Sequence, residues 1–384
     1  MIDKQLEKEK NYRQYLLLQA LNERSAVDDF PIYYKKTITN STKQIQNTDA
    51  FFHQYLYKEL LYEFSVVNRE KKASIDLWQI LDSFKQYSLL NQLRYACAIL
   101  NAAKVRKQEL AEKQKSEKML DELMLQVQTY EEKESMIALY YAVLCFQKSQ
   151  LEGDFFHLKK MLFAEESKLD KDELSFITTI ATNYCNRKIR AGDSRFYAEM
   201  FELYQYMLQE GLFEIDGFIN PRYAKNLVIL GLKAEKFAWV KDFIESYKEK
   251  VTPKWSDSVY HFNLGVYFFY KKEYQQALQY LCLIERFDVF FELDYRILML
   301  KIYYESAETF AFNALLLSFR KYVDRQTYLT EDNKKSYYNF LKWSKFLFSQ
   351  KINTAIIEPQ KIEEIKESTF LAERNWLLEK TKIS

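Results

Sequence analysis

The sequence predicts an all-α chain, built as a right-handed α–α superhelix of antiparallel helix pairs. Three observations predict it. Apolar residues recur at three- and four-residue steps through most of the length, as one buried helical face requires. The 384 residues include only 6 Gly and 4 Pro, too few for the special turns that a sheet-rich fold consumes. Gly153, Gly192, Gly211 and Gly217, with every Pro, also fall between the periodic segments, so breakers and periodicity agree.

Taken in order, residues 1–24 read as a helix with Tyr12, Tyr15, Leu16, Leu18 and Leu21 on a broad apolar face. Asp28 to Ile32 breaks it, with Pro31 near a new helix start. The polar stretch 38–49 reads as a loop or a weakly held helix. Asp49 then caps a helix carrying Phe52, Tyr55, Leu56, Leu60 and Phe64. A separate helix follows with Ile75, Trp78, Ile80 and Leu81, and the next pair begins at Leu89. Ala96, Ala98, Ala102 and Ala103 permit close packing there. The charged run 104–120 reads as a solvated face or long connection.

Further helices are expected over 133–150, after Gly153, and over 171–189. Asp193 or Ser194 is placed to cap a helix that stops at Gly211. Pro359 precedes one final helix, charged on one side as a terminal cap of a stacked array must be. Residues 1–105 are thus expected as a helical sub-bundle. Residues 106–384 are expected as a hairpin solenoid with that charged capping helix, about seven to nine pairs in all.

The stretch Tyr260 to Glu285 gives the clearest unit. Two amphipathic segments flank a polar turn at Lys271, Lys272 and Glu273, and Gly265 and Ala277 are small where the two must approach. A small residue (Gly265), an aromatic three later (Phe268), another past the turn (Tyr274), then Ala277 and Leu281 make a pattern that resembles the tetratricopeptide repeat. The early Trp and closing Pro of that family are missing. The spacing recurs: Tyr274 aligns with Phe237 and Phe310, Ala277 with Val240 and Ala314, and Asn263 with Asn226. These intervals are 36 or 37 residues, against ~34 in the family, and cover roughly residues 220–323.

Composition excludes several classes. Lys and Arg number 56 against 54 Asp and Glu, so the basic excess of a nucleic-acid binder is missing. Cys97, Cys145, Cys185 and Cys282 sit in apolar runs without a C-x-x-C pair. That reads as buried thiols in a reducing compartment. The charged N-terminal residues and a longest apolar run of Met136 to Phe146, well short of the ~20 residues of a membrane span, give the expectation of a cytoplasmic protein off the membrane.

No catalytic constellation is present: no glycine-rich phosphate loop, no H-E-x-x-H, and His53, His157 and His261 lie on separate segments. The expectation is a non-enzyme without metal or cofactor. The resemblance implies a peptide-contact role for Asn226 and Asn263, and for Asn183. In the family, an Asn at this place on the first helix faces the groove and hydrogen-bonds an extended peptide. The expected function is a scaffold or adaptor that holds a protein or peptide in its concave face. An RNA-binding helical repeat and a peptide-sensing regulator are the alternatives.

Overall fold

The structure, a computed structural model, describes residues 2–41, 48–68, 77–103, 110–129, 135–164, 169–285 and 289–382. The chain is all-α, 80% helical against 2% strand, and consecutive helices pack on each other. Among the described residues none of these helices is long and apolar enough to cross a membrane. Residues 1–181 and 182–384 form two compact units. The break expected near residue 105 falls within 104–109, outside the described residues.

The first unit holds α1 (Ile2–Glu23), α2 (Asp29–Ser41), α3 (Thr48–Val67), α4 (Leu77–Ala103), α5 (Leu110–Thr129), α6 (Ser135–Ser149) and α7 (Glu152–Leu162). It also holds the start of α8 (Lys171–Arg190). Helices α1, α2 and α3 close around Leu18, Phe30, Tyr57, Leu60 and Phe64. Phe30 stacks on Phe64 with ring centres 4.1 Å apart. The two helices expected over 74–84 and from Leu89 are one, α4, because no Gly or Pro interrupts Leu77–Ala103. The polar stretch 38–49 is helical to Ser41 and again from Thr48, and 42–47 lie outside the described residues. Gly153 sits in the first turn of α7 and does not mark the break. Gln150 does, in the left-handed region at φ 54°.

One buried carboxylate of this unit is paired at its edge with a half-exposed arginine. Glu173 of α8, whose side chain is 2% exposed, accepts a hydrogen bond from the Tyr140 hydroxyl and meets Arg94 Nε at 3.3 Å. Burial and the Glu173 charge push the Tyr140 phenol pKa far above its ordinary value. A carboxylate is tolerated in such an interior only with its lone pairs satisfied.

The second unit continues with α9 (Phe196–Gln209), a hairpin of β1 (Glu214–Ile215) and β2 (Phe218–Ile219), then α10 (Pro221–Lys233), α11 (Phe237–Ser246), α12 (Ser256–Tyr270) and α13 (Tyr274–Leu281). It ends with α14 (Val289–Glu305), α15 (Thr309–Asp324), α16 (Glu331–Ile352), α17 (Pro359–Glu367) and α18 (Arg374–Lys380). The β-hairpin turns on Asp216 and Gly217, both at positive φ, as an Asp-Gly pair allows. Pro221 opens α10, and the Asn220 side chain accepts from Arg222 N. Arg195 occupies the N-cap position of α9, and Asp193 accepts its backbone N–H at 3.2 Å and pairs with its guanidinium.

Three successive hairpins, α10–α11, α12–α13 and α14–α15, share one turn. Glu235, Lys272 and Ala307 adopt φ of 60°, 63° and 58°. The next backbone N–H reaches back five residues, from Lys236 to Gly231 O (2.8 Å), Glu273 to Phe268 O (2.9 Å) and Glu308 to Tyr303 O (3.0 Å). This is the helix-ending motif that usually recruits glycine. The turn expected at Lys271–Glu273 is therefore present.

Close approach is needed where glycine occurs inside these helices. A Cβ on Gly265 would lie 2.6 Å from Leu281 Cδ2, and one on Gly231 would lie 2.5 Å from Val240 Cγ2.

Aligning the turns corrects two expectations. The counterpart of Tyr274 is Thr309, since Phe310 is 89% exposed. The counterpart of Ala277 is the buried Phe312, since Ala314 faces solvent. Cys282 is exposed, at the C-cap of α13, while Cys97 and Cys185 are buried. The single final helix is two, α17 and α18, split around Ser368–Glu373, and α18 does not simply face water. Trp376 and Leu377 are buried in the cluster that holds Tyr304, Phe312, Phe340 and Phe348. Two such side chains contribute roughly 1.5–3 kcal/mol each.

Candidate functional site

The first helices of the three hairpins, α10, α12 and α14, line a groove of about 1190 Å³ in the second unit. From α10 it receives Lys225, Ile229 and Lys233, and from α12 Phe262, Val266 and Tyr270. These residues recur at helical spacing. Between the helices they are matched 37 residues apart: 225 to 262, 229 to 266, 233 to 270. Helix α14 adds Asp294, Leu298, Lys301 and Glu305, and the segment through α18 closes the remaining side.

Charges are arranged in pairs across the groove, with aromatic rings beside the cations. Lys225 pairs with Asp294, its Nζ 5.5 Å from the Phe291 ring centre. Lys233 meets Glu379 at 3.4 Å and lies 5.6 and 5.5 Å from the rings of Tyr197 and Tyr270. Lys301 meets Glu373 at 2.5 Å, 5.5 Å from the Trp376 ring. Lys380 reaches back to Glu305 at 2.5 Å. A ring face attracts an ammonium group while leaving it able to accept a carboxylate.

Burial pushes the Asp294 carboxyl pKa up, and Lys225 only partly offsets it. Burial also works to raise Glu373, but Lys301, Lys233 and Lys225 together bring it below its ordinary value. Burial, with Glu373 adding to it, drives the Tyr270 phenol far up, so Tyr270 stays a neutral hydrogen-bonding group at physiological pH. The groove therefore presents paired lysines and carboxylates beside aromatic faces and the neutral Tyr270 phenol.

The asparagines singled out from sequence do not line this groove. Asn226 hydrogen-bonds the Tyr204 phenol of α9. Asn263 is 4% exposed within α12, and its Oδ1 finds no partner. Asn183 is exposed on α8. The structure brings none of the three together. The groove positions are their neighbours, Lys225 and Phe262, at the same 37-residue interval.

Elsewhere, a cavity of about 520 Å³ between α4 and α5 is lined mainly by apolar and amide side chains, with Glu122 its one charge. His53 Nδ1 lies 2.7 Å from Asp49 O, and His157 and His261 are remote in sequence and on other helices. Among the described residues no group of three His, Cys, Asp or Glu side chains is placed to hold a metal ion. Comparison with protein-family models, with curated proteins and with solved structures found no match.

Proposed function

We propose that the second unit is a non-catalytic binding module, a scaffold or adaptor that holds a segment of a partner protein against α10, α12 and α14. The observation that carries this reading is the groove: three equivalent helices present aromatic and ionic side chains to one space of about 1190 Å³. The shared turns and the 37-residue register favour a superhelix of the tetratricopeptide type, in which first helices face the ligand. Aromatic and cationic anchors in a partly desolvated groove are the side chains that dominate protein recognition.

Affinity capture from the source cells tests the reading, comparing wild type with Ile229→Asp and with Asn226→Ala/Asn263→Ala. Ile229→Asp places a carboxylate one turn from both Lys225 and Lys233 on the groove floor, where it competes for their charge, and is expected to lose the partners. The asparagine pair, which is not part of the groove lining, is expected to keep them. Equal recovery from all three folded proteins would remove the groove from the account.

A further inference from the structure

We infer that residues 368–380 are a tethered occupant of this groove, and that the partner which displaces them is an acidic segment with two carboxylates flanking a large aromatic side chain. This deepens the groove reading above and rests on it.

The inference comes from where each carboxylate originates. Lys225 is matched by Asp294, which is fixed on α14. The partners of Lys233 and Lys301 are Glu379 and Glu373, and both arrive with the segment through α18. Trp376 lies midway between them in sequence, with Lys301 at 5.5 Å and Lys380 at 5.8 Å from its ring. Glu373, Trp376 and Glu379 thus present an acid–aromatic–acid pattern to the first helices. Without them, Lys233 and Lys301 lose the carboxylates that the structure gives them, and the floor turns cationic.

Side chains hold α18: Trp376 and Leu377 pack into the cluster with Tyr304 of α14 and Phe340 of α16, so displacement must also expose these two side chains. Besides the ion pairs, the Asn375 amide donates to the Tyr197 hydroxyl at 3.4 Å. The two hydrogen bonds that fix backbone of this segment to α16 lie before α18: Asn339 Nδ2 to Phe370 O (2.7 Å) and Ala372 N to Ser336 O (3.3 Å). Arg374 donates to the carbonyls of Ile365 and Lys366 at the end of α17 and of Ser368 within the segment, which ties the segment to α17 and not to the groove helices. The Trp376 indole Nε1–H is buried without an acceptor, a cost that a better-matched aromatic avoids. A tethered occupant acts at an effective concentration in about the millimolar range, so it screens the groove from weak ligands and yields to a matched one.

The test uses the full chain and a fluorescent peptide copying residues 368–382. Glu373→Gln/Glu379→Gln weakens the resident segment while keeping its shape. This protein is expected to bind the peptide at least tenfold more tightly than wild type. Adding Lys233→Gln/Lys301→Gln is expected to abolish the gain, as is the same peptide with both glutamates changed to glutamine. If the Gln variant keeps its helix content and binds no better than wild type, or binds both peptides equally, the inference is overturned.

Hydrogen exchange on the wild-type protein is independent of any variant folding. Amides of Trp376–Glu379 are expected to exchange at least tenfold faster than those of Trp343–Phe348 in α16, and equal rates would overturn the inference. If capture of partners depends on Ile229 while these arms fail, the groove reading stands and the tethered occupant falls. If capture is also indifferent to Ile229, the groove itself is not a binding surface.

Discussion

Glu173 in the first unit and Glu373 in the second meet cations under opposite conditions. Glu173 is 2% exposed and meets the Tyr140 hydroxyl and Arg94, whose own side chain is 39% exposed. Glu373 keeps 38% of its side-chain surface while holding Lys301, and it borders the groove. A replacement for the first carboxylate would have to enter a packed interior, so that cluster serves the fold. The second borders open space, so a carboxylate from elsewhere could take its place. Similar chemistry becomes structural or exchangeable according to whether water, and hence a ligand, reaches it.

Breaking each cluster should separate the two most widely. Glu173→Ala leaves the buried Tyr140 phenol without its acceptor, while Arg94 at 39% exposure turns to water, at a cost of about 2–3 kcal/mol. Glu373→Ala should cost less, about 1 kcal/mol, since the carboxylate is 38% exposed although Lys301, 12% exposed, loses its partner. Urea unfolding followed by circular dichroism checks both, and equal losses would erase the distinction.

The hairpins of the second unit sharpen the comparison from the packing side. Gly265→Ala or Gly231→Ala drives a methyl into Leu281 or Val240 and should cost about 1–3 kcal/mol by overpacking. A smaller change of opposite sign is expected at the turn. Ala307→Gly relieves a side chain held at φ 58° and should raise stability by up to about 1 kcal/mol. Melting curves of the three variants decide it, and a destabilised Ala307→Gly would show that the left-handed turn carries no strain.

The smallest effect is in pH. The folded-state pKa of Glu373 lies below its ordinary value, because the three lysines outweigh burial. Its contribution is therefore present above the unfolded-state pKa and lost as pH falls through the folded one. Wild type should exceed Glu373→Gln in stability at neutral pH, with the gap closing on acidification past the ordinary glutamate range. A gap that widens in acid would reverse the sign assigned here.

Helices and turns were legible because their causes are local. Gly192 and Gly211 mark turns by their positive φ, and Lys272 sits in the turn expected of it. The Asp216–Gly217 dipeptide was an available hairpin signal that the helical periodicity obscured. The face that each helix turns to the groove was not legible. Phe262, Val266, Lys225 and Lys233 carry no motif that would have singled them out. Asn183, Asn226 and Asn263 were singled out, and the last two each lie one position from a groove residue, Lys225 and Phe262. Lys301 and Glu373 are 72 residues apart, and nothing local links them. Periodicity also ran across Ser368–Glu373, which hid the separation of α18 from α17.

Photocrosslinking in the source cell tests the central claim most directly, with a photoreactive amino acid placed either at Ile229 on the groove floor or at Leu317 on α15, which is 68% exposed. The account predicts adducts heavier than the chain alone from position 229 and none from position 317. Adducts from 317 with none from 229 would contradict it.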